Sequence, residues 1–176
     1  MELAEVEAVL GRTPDVVGSL LMELPTEWVR RNDGPGTWSA HDIVGHLILA
    51  DATNWLPRIR MILEHGPDRA FEPFDREAML TWQREDPSAL TARFHATRDA
   101  SLRELGAMNL TSGDLERRGL HAQVGELTMA QLLATWVAHD LTHVGQISDV
   151  LARRYRDDVG PMRVFMPRLD EIAAAE

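Results

Sequence analysis

The sequence predicts an all-α protein, a four-helix bundle with crossover connections. Four segments repeat apolar residues with the helical period, and good helix-capping residues, Ser39, Asp86 and Thr128, precede three of them. The connections between segments differ greatly in length, and the longest span residues 66–86 and 107–127. Long connections allow consecutive helices to pack as non-neighbours, so a simple up-and-down order is not required.

The first two predicted helices each contain a proline. Helix one should cover residues 2–24, and Pro14 should either kink it or begin a new helix within it. Helix two should cover residues 39–66, with Asp42 as the capping-box partner of its N-cap. Pro57 removes a backbone donor from this helix, so we expect a kink or a local break there.

The later helices have clearer starts. An Asp-Pro pair begins helix three, predicted over residues 86–106. Residues 107–127 alternate in part between polar and apolar side chains, which predicts a short hairpin or an extended crossing segment. Thr128 and Gln131 then form a capping box for helix four, which should end near Asp157.

The composition excludes several classes of function. The net charge of −10 argues against binding to nucleic acid or to an anionic membrane surface. All 18 basic residues are arginine and cysteine is absent, which excludes Schiff-base lysines, disulfides and thiolate metal ligands. No signal peptide and no apolar run of membrane-spanning length can be recognised. We expect a single cytoplasmic domain over residues 1–176.

Two histidines in helix four are the most informative residues. His139 and His143 stand four apart, on or beside the apolar stripe of the helix. Imidazoles that face a core need polar partners, and a shared divalent metal ion is one such partner. The alternative is that this spacing arose by chance and that backbone or carboxylate groups satisfy the two rings.

A third histidine, His46, lies on the apolar face of helix two with Ile43 and Leu47. Facing helices of a bundle can assemble a metal site in its core, so His46 is the best candidate for a further ligand. His41 falls in the first turn of the same helix and should be exposed. His65 precedes Gly66 at a helix end, where a cation suits the helix dipole. His95 and His121 have no partner at ligand spacing and are expected at the surface.

The spacing of Trp38, Ser39, Asp42 and His46, followed late in the chain by His139-x-x-x-His143-x-x-Gln146, resembles the DinB-like superfamily of four-helix metalloproteins. The resemblance implies that His46, His139 and His143 bind one divalent metal ion, zinc or nickel. It also makes Asp42 and Gln146 candidates to orient a ligand or to contact substrate. Asp42 departs from the pattern, because the family more often has glutamate at this position.

Characterised branches of this superfamily include metal-dependent thiol transferases and a mycothiol-dependent maleylpyruvate isomerase. The resemblance therefore implies a divalent-metal-binding protein that could be a thiol S-transferase using a low-molecular-weight thiol. The alternatives are a metal-dependent hydrolase and a non-catalytic, stress-associated metal-binding protein. We expect a small-molecule substrate and leave open whether the chain is a monomer or a homodimer. No catalytic residue can be assigned, and Arg153 and Arg154 are candidates to bind the carboxylates of a thiol cofactor.

Overall fold

A computed structural model describes residues 2–171 of the chain. The described residues form mostly α-helix with one small sheet, as predicted. The elements, in chain order, are α1 (Leu3–Leu21), α2 (Thr26–Arg30), α3 (Ala40–Thr53), α4 (Trp55–His65), α5 (Pro87–Ala107), α6 (Ser112–Leu115), β1 (Arg118–His121), β2 (Gly125–Thr128) and α7 (Met129–Ala152).

The bundle has the predicted crossover arrangement. Helices α1 and α3 each pack against both α5 and α7 and make little contact with each other. The first two long segments of the chain are therefore diagonal in the bundle instead of adjacent. Helix α4 extends the second segment and packs against α7 and β1.

Helix α1 runs without interruption through Pro14, so this proline does not begin a new helix. The helix ends at Leu21, earlier than predicted, because Met22 is extended and Glu23 takes a positive φ of 65°. The residue before a proline avoids the helical region, so the chain has to leave the helix ahead of Pro25.

The second predicted helix is broken in two at Asn54. In a continuous helix the ring of Pro57 would collide with the carbonyl group of Thr53. In the structure Pro57 instead lies in the first turn of α4, where a backbone N–H has no intrahelical partner in any case. The break lets α4 begin a new direction beside α7.

The predicted hairpin is present over residues 118–128, with Arg118 opposite Thr128. The backbone N–H of Phe71 donates a 2.8 Å hydrogen bond to the carbonyl oxygen of Leu120, which ties the long connection after α4 to the hairpin. Gly119 permits close packing here, since a Cβ atom at this position would lie 2.6 Å from Cγ1 of Ile62. The hairpin and residues 70–76 together cover one side of the bundle.

The core consists of two apolar clusters, one around Ile43, Phe94 and Ile147 and the other around Leu10 and Trp136.

Helix α7 ends earlier than predicted and continues as a short 3₁₀ turn. Within residues 2–171 no helix is both long and apolar enough to span a bilayer.

Candidate metal centre

His46 reaches the centre of the bundle from α3. The helix begins with a complete capping box, in which Ser39 and Asp42 satisfy each other's backbone N–H groups. His46 follows one turn later, is 4% exposed, and stacks at a tilt on the indole ring of Trp38 with ring centroids 4.8 Å apart. The capping box and Trp38 therefore fix the position of the ring.

His139 and His143 project from α7 towards His46, as predicted from the sequence. The Nε2 atom of His139 lies 3.0 Å from Nε2 of His46 and 3.2 Å from Nε2 of His143. One nitrogen from each of the three rings lies within 4.8 Å of the other two. Two tetrahedral ligands at a zinc–nitrogen distance of about 2.0–2.1 Å are about 3.3 Å apart, so this spacing fits a shared ion.

The outer nitrogens of two rings define their tautomers. His46 Nδ1 lies 3.1 Å from the carbonyl oxygen of Arg76, and His143 Nδ1 lies 2.7 Å from Oε1 of Gln146. An oxygen of this kind accepts, so Nδ1 carries the proton and Nε2 keeps its lone pair. His139 Nε2 can donate to one of the two lone pairs but not to both. The centre has an excess of acceptors, which a cation would satisfy.

Burial keeps the imidazole rings of His46 and His143 uncharged. Desolvation is the main cause that lowers the pKa of His46 to about 4 and that of His143 to about 3, and the neighbouring histidines add to the effect. Both side chains are therefore neutral at neutral pH, which is the form that binds metal. The donor set consists of neutral nitrogen ligands, a type that suits zinc and nickel alike.

His139 lacks a hydrogen bond on its outer nitrogen. Its Nδ1 atom is buried and has no partner within residues 2–171, and Oδ1 of Asp140 lies 3.8 Å away. The edge of the ring meets Trp55, with ring centroids 5.2 Å apart. The carboxylate of Asp140 is thus close to this candidate ligand without a hydrogen bond to it, and the sequence reasoning did not identify Asp140.

The two other predicted site residues, Gln146 and Asp42, differ in their distance from the three histidines. Gln146 contacts His143 directly, through its Oε1 atom. Asp42 uses its carboxylate in the capping box of α3 and accepts a 3.3 Å hydrogen bond from Arg84, so it does not reach the three rings. Its short side chain caps the N-terminus of α3. His41, expected at the surface, is only 8% exposed, because the turn that holds the capping box is packed into the core.

Arg153 and Arg154 are also placed differently from the expectation. Arg153 Nε donates to Oδ2 of Asp33 at 2.7 Å, and Arg154 Nη1 lies 3.6 Å from the other oxygen of the same carboxylate. These contacts join the end of α7 to the loop after α2. Neither arginine lines the cavity above the histidines, so the prediction that they bind a cofactor there is wrong.

The three histidines open into a cavity of about 370 Å³. Its walls come from α4, from the connection after α4 and from the tip of the hairpin. Sequence reasoning missed most of this wall: Arg58, Phe71, Phe74, Arg76, His121 and Gln123. The hairpin prediction was the only signal in the sequence for His121, because it indicated that the segment containing this residue is structured.

Comparison with known proteins assigns the family. A sequence model of the DinB superfamily matches residues 10–147. The chain belongs to the DinB superfamily. Among solved structures, this DinB protein resembles YfiT from Bacillus subtilis, with a TM-score of 0.72 and 20% sequence identity over 86% of each chain. The structure of YfiT is described as that of "a probable metal-dependent hydrolase with an unusual four-helix bundle topology". A comparison with curated proteins gave no match.

Proposed function

We propose that this DinB protein is a metal-dependent enzyme in which His46, His139 and His143 hold one divalent ion, and that it transfers an exogenous thiol to a small electrophile. The observation that carries the proposal is the convergence of three imidazole nitrogens at the base of an open cavity. A divalent ion held by these three imidazoles would lower the pKa of a thiol or water that it binds.

The chain supplies the surroundings for such a reaction. His46 and His143 stay neutral and keep their lone pairs directed inwards through Arg76 and Gln146. Phe71 and Phe74 line the cavity and would exclude water from an apolar substrate. Because the sequence contains no cysteine, the sulfur has to come from a separate thiol.

The reaction is a substitution at the electrophile. The thiol loses its proton to solvent, its sulfur forms a bond to the electrophilic carbon, and the leaving group departs with the electron pair of the bond that breaks. No side chain has to accept the proton permanently. This suits the cavity, whose single carboxylate within residues 2–171, Glu72, is exposed and accepts a 2.7 Å hydrogen bond from Arg69.

Hydrolysis is the second candidate, and two observations favour it. YfiT, which shares the fold, is described in those terms. His121 lines the same cavity, and its pKa is lowered by burial and by the charge of Arg58, so its neutral ring is available as a general base.

Cobalt-substituted protein separates the two candidates. A thiolate ligand adds a sulfur-to-cobalt charge-transfer band in the near ultraviolet, so thiol transfer predicts this band on addition of glutathione, bacillithiol or mycothiol. The same thiol should then be conjugated to 1-chloro-2,4-dinitrobenzene by the wild type and not by His143→Ala. If no thiol changes the spectrum while p-nitrophenyl ester cleavage requires metal and falls in His121→Ala, the enzyme is a hydrolase.

A further inference from the structure

The cavity above the histidines carries a charge opposite to that of the whole chain. The protein has a net charge of −10, but two arginines, Arg58 and Arg76, line this cavity. The carboxylate in its lining, Glu72, is paired with Arg69 outside it. A ligand that enters therefore meets an excess of positive charge before any metal ion is counted.

The two arginines are unusual among the 18 in the chain. Most of the others pair with a carboxylate. Those that have no carboxylate partner within residues 2–171 are Arg12, Arg31, Arg58, Arg76 and Arg103. Of these, Arg58 and Arg76 lie in one cavity, and Arg58 is half-buried.

Arg58 is held in place without being neutralised. Its guanidinium group lies over the ring of Phe71, 5.3 Å from the ring centroid. Burial lowers its pKa, so the charged group has given up part of its hydration without gaining a carboxylate. The guanidinium donors of Arg58 have no carboxylate partner within residues 2–171, so they are available to a planar anion that accepts two parallel hydrogen bonds.

A second polar group on the same helical face points to the same ligand. Asn54 stands one turn before Arg58 and lines the same cavity. Its Oδ1 atom is buried and has no hydrogen-bond partner within the described part of the chain. A ligand that brings an oxyanion to Arg58 could also bring a donor to this oxygen.

We propose that Arg58 forms an oxyanion-binding subsite, so that the substrate is a small molecule with a carboxylate or phosphate group at one end and an apolar body against Phe71 and Phe74. The reactive end of this molecule would face the three histidines. Only that last assignment rests on the proposed function, because binding of the anion to Arg58 does not require a metal ion.

The test compares probes that differ in charge. Phenylacetate, phenyl phosphate and neutral 2-phenylethanol are titrated into metal-free protein, followed by amide and indole NMR shifts at Phe71, Gln123 and Trp38. We expect at least one anion to bind about tenfold or more tightly than the alcohol, with a preference that falls as salt is raised. The stronger of the two anions identifies the ligand as a carboxylate or a phosphate.

Variants then assign the preference to Arg58. Arg58→Gln should remove it, Arg58→Lys should reduce it, and Arg12→Gln, an equal change of charge at an exposed arginine on α1, should leave it intact. Equal binding of anion and alcohol would overturn the proposal, as would loss of the preference in Arg76→Gln but not in Arg58→Gln. Metal analysis of the same variants, carried out before the metal is removed, is independent, so a failed metal site and a failed anion subsite give different results.

Discussion

Arg98 donates a 2.6 Å hydrogen bond through Nη1 to Oδ2 of Asp140, the residue that follows the candidate ligand His139. The same guanidinium bonds Asp51 through Nε at 2.7 Å and Nη2 at 3.0 Å. Burial raises the pKa of Asp51 to about 6, and Asp140, although burial acts against it, is kept below its usual pKa by His139 and Arg98. One cation therefore faces two carboxylates at neutral pH, and the excess negative charge beside His139 favours a bound cation.

Removing Arg98 should destabilise the folded protein strongly. Arg98→Met leaves two buried carboxylates without their partner, and we expect the free energy of unfolding to fall by about 3–5 kcal/mol. Urea denaturation measures this. The control is Arg60→Met, because Arg60 is 48% exposed in its pair with Glu104 and should cost at most about 1 kcal/mol. Equal losses in the two variants would contradict a structural role for the buried cluster.

The metal centre predicts about one divalent ion per chain in protein purified without chelator. His46→Ala, His139→Ala and His143→Ala should each lose most of this metal. His95→Ala should retain it, since His95 is partly exposed and lies 3.6 Å from Asp15 on α1. Elemental analysis of the folded variants checks the prediction, and stoichiometric metal in His143→Ala would show that the ligands are misassigned.

Gln146 should strengthen metal binding through His143 without touching the ion. Gln146→Ala removes the acceptor of the His143 Nδ1–H group, and we expect metal affinity to fall about 10- to 100-fold. Gln146→Glu keeps an acceptor and should recover most of the affinity. Competition with a chromogenic chelator measures both. Gln123→Ala serves as the control, since Gln123 lines the cavity but accepts no hydrogen bond from a ligand ring. Unchanged metal affinity in Gln146→Ala would show that Gln146 does not strengthen metal binding through His143.

The fold and the cluster of three histidines could be predicted because they depend on short-range patterns. The helical period, three capping residues and the i, i+4 spacing of His139 and His143 are all visible in the sequence. The apolar face of helix two added His46 to the pair on α7, the DinB resemblance supported this choice, and the structure brings the three rings together. Pro57 predicted that the second helix would be kinked or broken, but it did not predict that the break would fall at Asn54.

The cavity wall was not predictable in the same way. Arg58 reaches the cavity because α4 changes direction after Asn54, and Phe71 reaches it because one isolated bridge joins Ala70 to Leu120. Neither event leaves a periodic signal. The buried pair of Arg98 and Asp140 was missed for a related reason, since a charged residue on an amphipathic helix is normally placed on its solvated face.

The depressed histidine pKa values make the stability of the metal-free protein depend on pH. The imidazoles of His46 and His143 titrate near 6.5 when unfolded but near 4 and 3 when folded. Between these values the unfolded state binds more protons, so stability is fully present above about pH 6.5 and falls as the pH is lowered. Each histidine should contribute about 1.4 kcal/mol per pH unit in this window. Asp51, whose pKa is raised to about 6 in the folded state, acts in the opposite direction below pH 6 and offsets part of the loss from the two histidines.

Urea unfolding in the presence of chelator at pH 7, 6 and 5 tests this dependence. We expect His143→Gln to show a shallower loss of stability than the wild type, because one of the two titrating groups is gone. His65→Gln, at an exposed position, should keep the wild-type slope. A wild-type protein that is equally stable at pH 7 and pH 5 would be incompatible with buried, neutral rings.

The hairpin should depend on the absence of a side chain at Gly119. A Cβ atom there would lie 2.6 Å from Cγ1 of Ile62 and 2.7 Å from Cζ of Phe71, so Gly119→Ala should cost about 1–3 kcal/mol and displace the ring that lines the cavity. Gly145→Ala is the matched control, since no atom beyond its chain neighbours and its own helix backbone lies within 4 Å of the added Cβ, and alanine favours the α7 helix by up to about 1 kcal/mol. Denaturation curves give both energies, and NMR shifts of Phe71 report its displacement. If Gly119→Ala is as stable as Gly145→Ala with Phe71 unmoved, the hairpin does not pack on α4 as closely as the structure has it.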